Sequence, residues 1–122
     1  MSKKIMIIDD SRAIRQSLVY TLESHGYDVI EAANGLDALE LMKTNTIGLF
    51  ISDVNMPGMD GIELLKKIKQ DKAHMYAPVI MLTTESGRDM IEAGKVAGAK
   101  AWMIKPFHPD EIVSAVKKLF VA

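Results

Sequence analysis

The stretch Gly48-Leu49-Phe50-Ile51-Ser52-Asp53-Val54-Asn55-Met56-Pro57-Gly58 decides how the chain is read. It opens on large apolar residues, reaches a single carboxylate at Asp53 and breaks at Pro57-Gly58. A short apolar run bounded by glycine and by Pro-Gly reads as a buried strand. Asp53 then stands at the strand's carboxyl end, which is where ligands bind in an open α/β sheet. Taken alone, such an aspartate reads as a cap for the following loop. The sequence argues otherwise, because other strands deliver polar groups to the same end.

Upstream, Ile5-Met6-Ile7-Ile8 is an apolar run stopped by Asp9-Asp10, a first strand. Ser11 suits an N-cap, and Ile14, Leu18 and Leu22 recur at helical spacing until Gly26 ends the pattern. Asp28-Val29-Ile30-Glu31-Ala32 is a second strand with charge inside the run. Asn34-Gly35 marks a turn, and Leu36, Ala38, Leu39 and Met42 outline a second helix. Downstream of the opening stretch, Ile62, Leu65 and Ile68 give a third helix, and residues 70–77 form a polar connection ended by Pro78. Val79-Ile80-Met81-Leu82 is a fourth strand terminated by Thr83-Thr84, and a helix is expected over residues 87–97. Ala101-Trp102-Met103-Ile104 is a fifth strand ending at Lys105-Pro106. Asp110 is expected to start the last helix, with Ile112, Val113, Val116, Leu119 and Phe120 as its apolar stripe.

Five strands alternating with five helices predict an α/β fold with helices on both faces of a parallel sheet. Strands buried on both faces read as continuous apolar runs. The first, third and fourth do so. The second carries Asp28 and Glu31, and the short fifth is flanked by Lys100 and Lys105, so these two are expected at the edges. The order 2-1-3-4-5 follows, a flavodoxin-like (βα)5 doubly wound sheet whose switch point lies between the first and third strands. No linker or low-complexity tract interrupts residues 1–122, which are expected to form a single domain.

Composition narrows the function. Net charge is −1, from 15 basic and 16 acidic residues, which argues against a nucleic-acid surface. The absence of cysteine excludes disulfides, thiol catalysis and thiolate metal sites. The first apolar run is too short for a signal peptide, and no run approaches membrane-spanning length. A cytoplasmic protein without membrane contact is expected, and a monomer.

Asp9-Asp10, Asp53, Thr83 and Lys105 all end strands at one edge of the sheet. Three adjacent carboxylates repel, and one pKa would rise without help. A hard divalent cation removes that difficulty, and Mg2+ takes few carboxylates while accepting phosphate oxygens. Lys105 adds a point charge for a phosphoryl oxygen and Thr83 a neutral donor. An ionised carboxylate can attack phosphorus to give an aspartyl phosphate. Each residue has a bland reading alone: helix-dipole complement, strand end, solvated lysine. Their convergence at one edge favours chemistry.

These motifs resemble those of response-regulator receiver domains, in particular the stand-alone, CheY-like members. The matching elements are Asp9-Asp10, Asp53 with Met56-Pro57-Gly58 and Gly61, Thr83, and Lys105-Pro106-Phe107, and the likeness covers essentially the whole chain. The resemblance implies that Asp53 is the phosphoacceptor of a two-component system. It implies that Asp9, Asp10, Asp53 and the carbonyl of Asn55 hold Mg2+, and that Thr83 and Lys105 contact the phosphoryl group. The implied donor is a phosphohistidine on a histidine kinase, or a small acyl phosphate. The implied output is altered binding through the surface of the fourth helix, fifth strand and fifth helix. A cis Lys105-Pro106 peptide is expected. Trp102 stands where the family often has Tyr or Phe as a switch residue, and Thr84 where Ser or Ala is common. Asn55 and Glu85 hold the two positions that tune dephosphorylation and match the CheY-like pair, which suggests a short-lived phosphoryl state.

A chemotaxis-like role is the first expectation, with a flagellar motor component or a phosphotransfer protein as partner. A phosphate sink, a relay receiver, a pseudo-receiver that binds partners without phosphorylation and a flavodoxin-like ligand binder are the alternatives. The last lacks a phosphate-cradling loop, because Asp9-Asp10 carry the wrong charge for one. A dehalogenase-type phosphohydrolase would need a second aspartate where Asn55 stands. Self-phosphorylation and slow hydrolysis make the word enzyme a matter of definition. Gly94 either weakens the fourth helix for switching or permits close packing. The nine methionines fall mostly within apolar runs and read as core rather than as cofactor ligands. His25, His74 and His108 are assigned no catalytic or ligand role.

Overall fold

The computed structural model describes residues 4–84 and 88–120, for 88–90 the backbone alone. Its strands are β1 (Lys4–Ile8), β2 (Asp28–Ala32), β3 (Leu49–Asp53), β4 (Val79–Thr83) and β5 (Ala101–Ile104). Its helices are α1 (Arg12–Glu23), α2 (Gly35–Met42), α3 (Gly61–Gln70), α4 (Arg88–Ala97) and α5 (Pro109–Leu119). All pairings are parallel, and the order is β2-β1-β3-β4-β5, as the apolar runs required. β3 and β4 are buried throughout, whereas β2 and β5 are partly open at the two edges.

Alternation along the strands sends side chains to two cores. Met6, Ile8, Phe50, Val79 and Met81 pack with Ala38, Met42, Leu64, Leu65 and Ile68, residues of α2 and α3. Ile5, Ile7, Leu49, Ile51, Ile80 and Leu82 pack with Leu18, Leu22, Ile112 and Val116, residues of α1 and α5. Tyr27 and Phe120 stack at 5.7 Å beside this second core. No helix among the described residues is long and apolar enough to cross a membrane.

Four local expectations are corrected. Leu36 is not part of the buried stripe of α2. It is 66% exposed, because the inward face is set by Gly35, Ala38 and Met42 and Leu36 falls out of phase with them. Thr83 is the last residue of β4 rather than its terminator. α5 begins at Pro109, not Asp110: His108 is its N-cap, accepting from the Asp110 N–H while Glu111 returns the bond to the His108 N–H. Residues 70–77 are not simply a polar connection, since His74 is buried within them.

Candidate functional site

Strand register builds the site. Ile7 pairs with Ile51 and Ile8 with Ser52, so one further step brings Asp9 level with Asp53. Asp53 pairs with Leu82, and Thr83 with Ile104, which leaves Lys105 one residue beyond the end of β5. The Lys105 N–H donates to the Thr83 carbonyl at 2.7 Å, and the Lys105-Pro106 peptide is cis, as expected.

Asp9, Asp53 and Thr83 are buried, and Asp10 is exposed at the mouth. Lys105 Nζ lies 2.8 Å from Asp9 Oδ2 and 3.4 Å from Asp53 Oδ1. Asp9 Oδ1 accepts from the Ser11 N–H at 2.8 Å. Two buried carboxylates therefore share one ammonium. Burial first, and the Asp9 carboxylate second, push the Asp53 carboxyl above its ordinary range. Lys105 and the Asn55 N–H pull the other way without cancelling the effect. Asp9, Asp10 and Asp53 each offer an oxygen within 4.8 Å of the others. Three hard, negatively charged oxygens short of positive charge are the donor set a small divalent cation takes, so the residues fit Mg2+.

Asn55 is exposed beside this cluster, and its Nδ2 reaches Thr83 Oγ1 at 3.4 Å. Glu85 lies outside the described residues. Gly61 lets α3 start directly against the site. A Cβ there would meet the Asp53 carbonyl oxygen at 2.1 Å, and its N–H donates to the Val54 carbonyl at 2.8 Å.

Trp102 does not join this cluster. It faces the α2–α3 side of the sheet, opposite to Met103, and packs at the margin of that core. Its six-membered ring lies over Gly94 of α4: a Cβ at Gly94 would come within 1.8 Å of Trp102 Cζ3. Gly94 is thus a packing glycine, which bears out the close-packing reading. The indole Nε1 is buried, with no hydrogen-bond partner among the described residues.

Arg15 was missed by sequence reasoning. Its guanidinium donates to the Asp9 carbonyl at 2.6 Å and to Glu31 Oε1 at 2.9 Å. The signal for it was an arginine near a helix N-terminus, where the dipole disfavours a cation and a compensating partner is needed.

The family model for the response regulator receiver domain matches residues 5–117. The sporulation initiation phosphotransferase F of Bacillus subtilis is 42% identical over 118 residues, covering 97% of this chain and 94% of its own length. A chemotaxis protein CheY homolog of Campylobacter jejuni is 38% identical over 109 residues, 88% of this chain and 84% of its own. The alkaline phosphatase synthesis transcriptional regulatory protein PhoP of B. subtilis is 40% identical over 119 residues, and this chain spans 49% of its length. Among solved structures, the Vibrio cholerae chemotaxis protein CheY4 superposes with a TM-score of 0.92 at 36% identity, covering 98% of this chain and 99% of that one.

Proposed function

The chain belongs to the response regulator receiver domain family of two-component signalling, and on that footing we propose that Asp53 is its phosphoacceptor and that phosphorylation controls what it binds. The observation that carries this reading is the pair of buried carboxylates, Asp9 and Asp53, sharing the single ammonium of Lys105. On this reading residues 1–122 act as one receiver unit in the cytoplasm, fed by a histidine kinase or a small acyl phosphate.

An ionised Asp53 oxygen attacks the phosphorus of the donor, and the bond from phosphorus to the donor imidazole breaks. The departing imidazole takes its proton from water. Lys105 has three N–H donors, two of them directed at Asp9 and Asp53, so one remains for a phosphoryl oxygen. Thr83, level with the site at the end of β4, supplies a neutral donor. Asp9, Asp10, Asp53 and the Asn55 carbonyl would hold Mg2+, which supplies charge neutralisation when bound. Drawing Thr83 towards the phosphoryl group alters packing next to β5, where Trp102 rests on α4. The output surface is accordingly α4, β5 and α5. Asn55 and Glu85 tune the return reaction.

A chemotaxis-type pathway is supported by the CheY-like relatives. A relay receiver is the second reading, supported by the 42% identity to a sporulation phosphotransferase across nearly its whole length.

The test is Asp53→Asn. The amide keeps the shape and loses the nucleophile, so labelling by phosphoramidate or acetyl phosphate should vanish while the fold is retained. Stoichiometric acid-labile phosphate on the folded variant would refute the assignment.

A further inference from the structure

Arg15 stands in the second turn of α1, yet its side chain is only 15% exposed and bends back over the acidic loop. Nη1 holds the Asp9 carbonyl, and Nε holds Glu31 on β2. That carbonyl belongs to the peptide unit joining Asp9 to Asp10. The unit is planar, so fixing its oxygen fixes the direction in which the chain leaves for the Asp10 Cα. The other end of the clamp is also tied to the sheet. Glu31 precedes Ala32, whose carbonyl accepts from the Asp9 N–H at 3.2 Å. Asp9 is therefore held at its N–H by β2, at its carbonyl by Arg15, at Oδ1 by Ser11 and at Oδ2 by Lys105. Among the described residues Asp10 makes no such set of bonds, and it is exposed. Its placement depends on the peptide that precedes it.

We propose that Arg15 is a positioning residue for divalent-cation binding: by clamping the Asp9-Asp10 peptide to Glu31 it aims the Asp10 carboxylate at those of Asp9 and Asp53. This rests on the reading of the acidic trio as a cation site. The flat, rigid fork of a guanidinium suits two acceptors at a fixed angle, and a lysine ammonium does not reproduce it. Charge and position act in opposite directions here. As a positive charge near the trio, Arg15 repels a cation, so removing it would tighten binding. As a clamp, its removal loosens Asp10 and weakens binding. The sign of the change therefore separates the two roles.

The experiment titrates Mg2+ into wild type, Arg15→Met, Arg15→Lys and Glu31→Gln, by calorimetry and by Trp102 emission, with the metal-free thermal midpoint measured for each. Arg15→Met should weaken Mg2+ binding about tenfold, as loss of a group that orients a metal ligand does. Arg15→Lys keeps the charge and should still weaken binding severalfold, which settles the matter even where Arg15→Met folds poorly. Glu31→Gln should have a smaller effect in the same direction. At saturating Mg2+, the labelling rate of Arg15→Met with phosphoramidate should return to that of wild type, because the nucleophile is untouched; a general structural defect would not be rescued this way. Unchanged or tighter Mg2+ binding in both Arg15 variants would overturn the positioning role while leaving the cation site standing. Wild-type protein without saturable Mg2+ binding would overturn both.

Discussion

Two buried polar clusters occupy opposite ends of the sheet. At the amino end, His74 is 2% exposed in the α3–β4 connection. Its Nε2 accepts from the Ile47 N–H at 3.1 Å, so the proton of a neutral ring sits on Nδ1 and is donated to Asp71 Oδ2 at 2.9 Å. Phe50 meets the ring edge-on at 5.6 Å. Both ring nitrogens are satisfied and no like charges face each other. At the carboxyl end, Asp9 and Asp53 share Lys105, with Asp10 alongside. Buried polar groups that only hold a fold together close among themselves. The groups left short of positive charge are the ones to which the proposed function assigns a ligand.

The sharpest way to break this contrast is His74→Ala. It leaves the Ile47 N–H without its partner and opens a void beside Phe50, so a stability loss of roughly 2–4 kcal/mol is expected in urea denaturation. Labelling of Asp53 should be retained under native conditions. A folded His74→Ala protein that no longer takes phosphate would show that the two ends are not independent.

A smaller effect comes from Gly94→Ala. The methyl group cannot share space with the Trp102 ring, so the indole must leave its seat on α4. Overpacking costs roughly 1–3 kcal/mol, and the better helix propensity of alanine returns about 1 kcal/mol. Trp102 emission should shift to the red as the ring reaches water. Beryllofluoride with Mg2+ should alter Trp102 emission in the parent protein and much less in Gly94→Ala or Thr83→Ala. An identical response in all three would remove Trp102 from the route between site and surface.

The smallest effects are in pH dependence, and they have opposite signs at the two ends. The hydrogen bond from His74 holds the Asp71 carboxyl below its ordinary range. Its contribution to stability is present above the ordinary carboxylate range and is lost as pH falls through the lowered value. Asp53 is raised, so its contribution is complete at acid pH and is lost as pH rises through the raised value. In metal-free protein, Asp71→Asn should therefore lower the urea midpoint at neutral pH. Asp53→Asn should raise it slightly there. Both differences should shrink towards acid pH.

Sheet order and the gathering of Asp9, Asp53, Thr83 and Lys105 at one edge were legible in the sequence because both are read from local runs. Apolar runs identify β1, β3 and β4 as central, and Asp9, Asp53, Thr83 and Lys105 announce themselves by ending strands. Part of what was not legible depended on partners distant in the chain, and the rest on local phase and capping. Arg15 needs Glu31, and His74 needs Ile47, 27 residues earlier. Gly94 could not be assigned until Trp102 was seen lying on it. Leu36 misled because a hydrophobic residue fits a helical period whether or not its phase faces the core. The start of α5 was misplaced because histidine is not a favoured cap, although Pro109 at the first helical position was a usable sign.

The bond between Lys105 and Asp9 joins residues 96 apart and spans from β1 to the strand beyond β4. During synthesis the carboxylates of Asp9, Asp10 and Asp53 emerge well before the ammonium that offsets them. Contacts so distant in sequence are made only after the intervening loops have closed. A chain held at β4 can pair its first four strands, but its acidic pocket lacks the counter-charge. Docking of β5 is then the step that completes both the sheet and the ion pairs of Lys105 with Asp9 and Asp53, so the last strand to be made also balances the charge of the first and third.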